Sequence, residues 1–340
     1  MNSSPEIAVE VAVKIRAVSS GRIDRHVASA EDTALSLVSQ VPTAARATTD
    51  GAHTGTTPPA DRRRRTTVRR DVWSIGESMS ERDWAILRSV YEHRFLTVGH
   101  VYELHFSSLS PVHGRRSAQR VLERLRSLHV LGDIERRMGG AAAGSDGLVH
   151  FVDTNGERLL RAETGQPVSR HLTDPSETFL KHTLAIADAH VALARAHHAR
   201  DVELLTYAVE PACWRRYIGP GGARLTLKPD MYFSVSPGPA SEYVDDYFLE
   251  VDRGTEPISR LIKKCRDYET YRRTGIEQDN SDGAFPRIIW SMSAKDPAKA
   301  LRRSAALREA IDRDRNLLSE LFCIVIPEEM VSLVQRGDGL

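Results

Sequence analysis

Apolar positions along this chain follow two periods, a helical one in its first folded part and mostly a strand-like one later. "SERDWAILRSVYEHR" opens on the capping residue Ser80 and spaces Trp84, Leu87 and Tyr91 as one helical face. "LTVGHVYELHF" predicts a second, shorter helix starting near Thr97. A third, long amphipathic helix lies within "GRRSAQRVLERLRSLHVLGDIERR", with Val121, Leu125 and Leu128 on one face. It is expected to end at Leu131-Gly132, and Arg115, Arg116, Arg120 and Arg124 mark its early, exposed side. "DIERRMGG" and "GLVHFVDT" then read as two strands joined by a Gly/Ala-rich loop.

Three helices followed by a hairpin are the order of a winged helix-turn-helix, here over residues 73–170. In that arrangement the third helix enters the major groove of double-stranded DNA, and its arginines reach phosphates and guanine edges. The bland alternative is a small helical domain whose arginines only solvate it.

After Pro175 the period changes. "SETFLKHTLAIADAHVALARAHHA" is a long helix with Leu180, Leu184, Ala187, Val191 and Ala194 on one face. Three strands follow in "VELLTYAVE", "PDMYFSVS" and "DDYFLEVD", then the helix "EPISRLIKKCRDYETYRR", with Ile258, Leu261, Ile262, Cys265 and Tyr268 inward. "RIIWSMS", "DPAKALRRSAALREAIDRDR" and "LFCIVIP" add a strand, a helix and a last strand. Residues 175–330 therefore read as a mixed sheet flanked by helices, giving an α+β or α/β class overall.

Residues 1–72 contain no Phe, Tyr or Trp and are rich in Ala, Ser, Thr and Arg, so most of this tail is expected to be disordered. "IAVEVAVKI" alternates like a short strand within it, and "RRRRTTVRR" places six arginines in nine residues. That run is either a solvated linker or a phosphate-binding arm. The net charge of the whole chain is only +1, so any nucleic-acid surface must be local. Cys213, Cys265 and Cys323 are far apart and form no CxxC, which argues against a disulfide framework or a cysteine zinc site. With no apolar run of membrane length and no signal-peptide pattern, a cytoplasmic protein is expected.

The chemistry concentrates in "KPDMYF" and "YFLEVDRGTE". Glu250 and Asp252 share a face of their strand, and Asp230 starts the strand before it. If these strands pair antiparallel, Asp230 meets the Glu250 end. Carboxylates gathered there repel one another unless a cation sits among them, and Mg²⁺ or Mn²⁺ suits such oxygen ligands. "DRGTE" is expected to end the strand, with Gly254 in a tight turn and Thr255 capping the next helix. Asp252 is expected either at the site or in a simple ion pair with Arg253. His182 and His190 read as packing or hydrogen-bonding groups, and His197-His198 lacks the His-apolar-His pattern that a tyrosine relaxase needs.

The element order, with "PD" before one strand and "ExD" ending the next, resembles the PD-(D/E)xK nuclease fold. That resemblance implies a metal site of Glu177, Asp230 and Glu250, with a lysine assisting the attacking water. Asp252 stands where the fold keeps its lysine, so Lys264 or Lys263 from the following helix, or Lys228, would have to supply it. The helical part together with "KPDMYF", "FLEVDRGTE" and "KKCRDYETY" further resembles the replication-relaxation family over about residues 78–330. This resemblance implies a role in plasmid or mobile-element replication and DNA relaxation. Two outcomes stay open: a metal-dependent nicking endonuclease, or a non-catalytic replication or transfer accessory protein. A transcriptional regulator on a degenerate nuclease fold is a further alternative.

Overall fold

The computed structural model describes residues 72–134, 148–165, 175–238 and 243–337. The tail with its alternating and arginine-rich segments, the Gly/Ala-rich loop and most of "DIERRMGG" lie outside the described residues.

A helical segment over residues 72–78 leads into α1 (Glu81–His93), which opens on a capping box between Ser80 and Asp83. A two-residue strand, β1 (Leu96–Thr97), precedes α2 (Val98–His105), capped by Thr97 as its spacing predicts. The third helix, α3 (Pro111–Ser127), ends four residues earlier than expected. Leu128 caps it, His129 takes a left-handed φ of 53°, and the chain turns straight into β2 (Leu131–Ile134). β2 and β1 both pair antiparallel with β3 (Val149–Val152), making a three-stranded sheet in the order β1-β3-β2. Ala118, Leu122 and Leu125 are the fully buried apolar residues of α3, while Val121 and Leu128 pack at the edge of the core.

The sequence reading misses α4 (Thr154–Thr164), capped by Asp153 and closed by left-handed Gly165. Its Gly156 packs against the turn after α3, where an added Cβ would lie 2.2 Å from the Val130 carbonyl oxygen. Gly156→Ala is therefore expected to destabilise the protein by about 1–3 kcal/mol despite alanine's better helix propensity. A thermal melt checks this, and an unchanged or raised melting temperature would contradict the close approach.

The second part opens on α5 (Glu177–Ala199). A five-stranded sheet follows in the order β10-β9-β8-β7-β4, built from β4 (Glu203–Val209), β7 (Met231–Ser236), β8 (Asp245–Asp252), β9 (Arg287–Met292) and β10 (Phe322–Val325). β8, β9 and β10 run parallel, and β7 is antiparallel to both β8 and β4. The parallel strands are linked by α6 (Ile258–Arg272), with the short α7 (Ile276–Asn280), and by α8 (Pro297–Arg313). A last helix, α9 (Met330–Arg336), packs near α5. A two-stranded ribbon of β5 (Arg215–Ile218) and β6 (Arg224–Leu227) interrupts the path from β4 to β7.

Period-2 alternation divides the sheet's faces. Tyr247, Leu249 and Val251 of β8 join the core beneath α5 and α9, whereas Phe248 joins the core beneath α6 and α8. The two carboxylates of "LEVD" therefore face the α6/α8 side, as their spacing predicts.

α5 is buried on more than one side. Ile186, Ala189 and Leu193 sit in the sheet core, Ala187 in the core of α1–α3, and Leu180 and Leu184 against Phe95 and Val149. Polar contacts flank it, with His100–Asp188 at 2.8 Å and Arg195–Glu103 at 2.7 Å. Between the two parts His190 Nδ1 lies 3.0 Å from His93 Nε2, with the Tyr207 ring stacked 3.8 Å from His190. His190 is thus a buried packing residue, as its lack of ligand partners predicts.

Candidate functional site

The antiparallel register Met231↔Leu249 brings Asp230 beside Glu250. Pro229 has no ladder donor and stays outside the strand, while the Asp230 amide donates to the Leu249 carbonyl at 3.1 Å. Asp230 Oδ2 accepts from the Val251 amide at 2.8 Å, which fixes its carboxylate against β8. Both acids are buried, Glu250 at 1% exposure and Asp230 at 6%.

Lys264 on α6 joins them. Its ammonium contacts Glu250 Oε2 directly and lies 3.7 Å from Asp230 Oδ1. One helical turn on, the Tyr268 hydroxyl donates to Glu250 Oε1 at 2.5 Å. On the other side His182 Nε2 reaches Asp230 Oδ1 at 3.5 Å. The hydrogen-bonding role expected of His182 is thus directed at an acid of the site, one that its sequence neighbours do not reveal.

The electrostatics follow from burial. Loss of water pushes the Glu250 carboxyl up to about 8; Lys264's charge opposes this and Asp230's adds to it. Burial also pushes Asp230 up, but Lys264, His182 and the Val251 N–H outweigh it and hold the acid below the usual carboxylate range. Burial pulls Lys264 down, yet the two carboxylates more than compensate and keep it protonated. At neutral pH the ammonium and the ionised Asp230 are thus paired, and burial gives Glu250 a raised proton affinity beside them.

The other expected site residues sit elsewhere. Glu177 is exposed at the start of α5 and contacts Lys181, so the three-acid set of Glu177, Asp230 and Glu250 is not assembled. Among the described residues no group of three or more His, Cys, Asp or Glu side chains is arranged to hold a metal ion. His182, five residues further along α5, is the side chain of that helix that reaches Asp230 instead. Lys263, about 100° round the helix from Lys264, is exposed. Lys228 lays its ammonium 4.7 Å over the Trp214 ring.

Asp252 is not paired with Arg253. Two guanidinium nitrogens of Arg303 on α8 reach its Oδ2 at 2.7 and 2.9 Å, and Arg303 also donates to the Glu256 carbonyl. Gly254 makes the expected turn with a φ of +71°, but α6 starts two residues later than expected. Pro257 stands at its cap, with no side-chain bond from Thr255. All three cysteines are buried thiols outside any disulfide.

On α3, Arg116 and Arg120 line an open depression of about 520 Å³ with His113, Ser117, Gln119 and Glu123. Arg115 lies 5.3 Å over the Tyr102 ring. Arg124 is committed to Asp83 at 2.5 Å, which ties α3 to the cap of α1.

The fold and site define a two-part α+β protein with a mixed sheet flanked by helices and a buried acid–lysine group at one strand end. The chain belongs to the replication-relaxation family, whose model matches residues 87–288, a span that includes Asp230, Glu250 and Lys264. No curated protein and no solved structure matches it. No helix among the described residues is long and apolar enough to cross a membrane.

Proposed function

We propose that this is a DNA-binding protein of plasmid or mobile-element replication and relaxation, with a winged helix-turn-helix joined to a nuclease-like PD-(D/E)xK sheet that nicks DNA. The observation that carries the reading is the convergence of Asp230 and Glu250 on one cation position, held by Lys264 from the following helix. A lysine on that helix answers the Asp252 departure in "ExD", since Asp252 is occupied by Arg303.

The donor set fits Mg²⁺ or Mn²⁺, which commonly take one or two carboxylates and complete their shell with water and substrate phosphate. Asp230 and Glu250 would hold the ion, which would supply Lewis-acid and water-activating chemistry at a phosphodiester. The chain's own groups define the rest. Protonated Lys264 acts as a fixed positive charge for a phosphate oxygen and not as a base. Glu250, with its raised proton affinity, would have to be ionised to hold the ion, and His182 orients Asp230. Arg116 and Arg120, with Arg115 beside them, are the α3 groups assigned to double-stranded DNA, whereas Arg124 serves the fold. The reading assigns the protein to the cytoplasm, and its three buried thiols accord with a reducing compartment.

A second reading keeps DNA binding and drops catalysis, because Lys264 already balances the two acids without metal. Supercoiled plasmid separates the two. Wild-type protein with Mg²⁺ or Mn²⁺ is expected to convert it to open circles, and Asp230→Ala and Glu250→Ala each to lose about 100-fold or more in rate. Retained DNA binding without metal-dependent nicking would assign the site to the accessory role. Because metal competes with the Glu250 proton, nicking is expected to rise from pH 6.5 to 8.5 and then level off.

A further inference from the structure

The β5–β6 ribbon has no place in the nuclease-like layout, yet it emerges directly before Asp230. Its register, Arg216↔Thr226 and Ile218↔Arg224, sets these four side chains on one face by alternation, and all four are exposed. The opposite face is used for packing, where Tyr217 and Leu227 enter the core beneath α6. Residues 211–229 carry four basic side chains and no acidic one. Arg215 is committed to Glu277 at 2.7 Å, but Arg216 and Arg224 have no ion-pair partner among the described residues. Lys228 continues the positive line over Trp214 toward Asp230.

We infer that the outer face of this ribbon binds the phosphate backbone of double-stranded DNA and leads one strand toward Asp230 and Glu250. Resting on the DNA-binding reading above, the inference adds a second contact surface, separate from α3. Cross-strand diagonal neighbours stand about 7–8 Å apart, so the two long guanidinium groups can spread over successive phosphates of one strand. Ile218, opposite Arg224 and 61% exposed, gives an apolar contact to the sugar edge. Self-association through this face is disfavoured, because a two-fold contact would bring four guanidinium groups together.

The test is fluorescence anisotropy of full-length protein on a labelled 30-base-pair duplex across 50–300 mM salt. It compares wild type, Arg216→Gln/Arg224→Gln and Arg116→Gln/Arg120→Gln, with circular dichroism melts confirming that each is folded. The ribbon variant is expected to lose about tenfold in affinity, and its slope of log K against log salt to fall by ~1–2, the loss of one or two phosphate contacts. Unchanged affinity and slope in the ribbon variant, with loss in the α3 variant, would overturn the ribbon assignment and leave the DNA-binding reading standing. No binding by wild type overturns both. A wild-type dimer in sedimentation that Ile218→Glu abolishes, with DNA affinity unchanged, assigns the face to self-association and overturns the inference.

Discussion

Lys264→Met is expected to lower stability by about 3 kcal/mol at pH 8, the low end of the cost of stripping one partner from a buried ion pair. The low end applies because the Lys264 side chain keeps 31% exposure, whereas the Glu250 side chain has 1%. Its pH dependence distinguishes this loss from simple packing damage. Without the ammonium, Asp230 depends on His182, whose proton affinity is already raised; burial lowers it, but the Asp230 hydrogen bond and charge win. A raised pKa in the folded state stabilises below it, and that contribution is lost as pH rises through it. Glu250 acts in the same direction, because the Lys264 charge that holds its proton affinity down is gone in the variant, which therefore loses more stability than wild type as pH rises. The deficit of Lys264→Met should therefore widen from pH 6 to pH 8.5, and adding Asp230→Asn should recover most of it. Urea titrations at both pH values measure this, and an equal deficit at both with no recovery in the double variant would disprove the charge account.

The second large effect lies at acid pH. Burial pulls His93, His105 and His150 down to about 4 and holds His190 well below the usual imidazole range, so these imidazoles are neutral in the folded protein. Unfolded histidines take up protons near pH 6.5, so the unfolded state binds more protons between 6.5 and 4, and stability is lost as pH falls. Each contributes up to about 1.4 kcal/mol per pH unit, so three or four together can exhaust an ordinary stability of about 5–15 kcal/mol by pH 4–5. His150 offers the cleanest probe, since it is buried in β3 and both its ring nitrogens lack a hydrogen-bond partner. His150→Leu is expected to raise the melting temperature at pH 5 and reduce the pH slope by about one proton. An unchanged slope would show that this imidazole does not stay neutral in the folded state.

The sheet was legible because its strands are short apolar runs bounded by Pro, Gly and Asp, as in "PDMYF" and "FLEVDRG". Antiparallel pairing of two consecutive strands then set Asp230 beside Glu250 without further information. The lysine was left among Lys264, Lys263 and Lys228; the rotation of α6 about its axis separates Lys264 from Lys263, and Lys228 lies over Trp214 instead. Arg303 and His182 were not legible as site groups, since each comes from a helix remote in sequence or from the far side of the sheet. The ribbon was missed because "RRYI" and "RLTL" are half polar and exposed on one face, which removes the apolar signal that marks a strand. α4 carried its signals, Asp153 before it and Gly165 after it, but followed so closely on β3 that its cap was taken into the strand "GLVHFVDT".

The burial of α5 on both sides has a mechanical consequence. A helix that belongs to two cores cannot be divided between separately expressed halves, because either half would bare an apolar stripe. It also removes the slack that a linker would give, so α3 and the acid–lysine group stand at a constant distance and angle. If α3 fixes the protein on a sequence, the bond presented to Asp230 and Glu250 is then chosen by a rigid offset, as with a ruler laid along the duplex. Inserting residues in the segment between α4 and α5 should leave that offset unchanged.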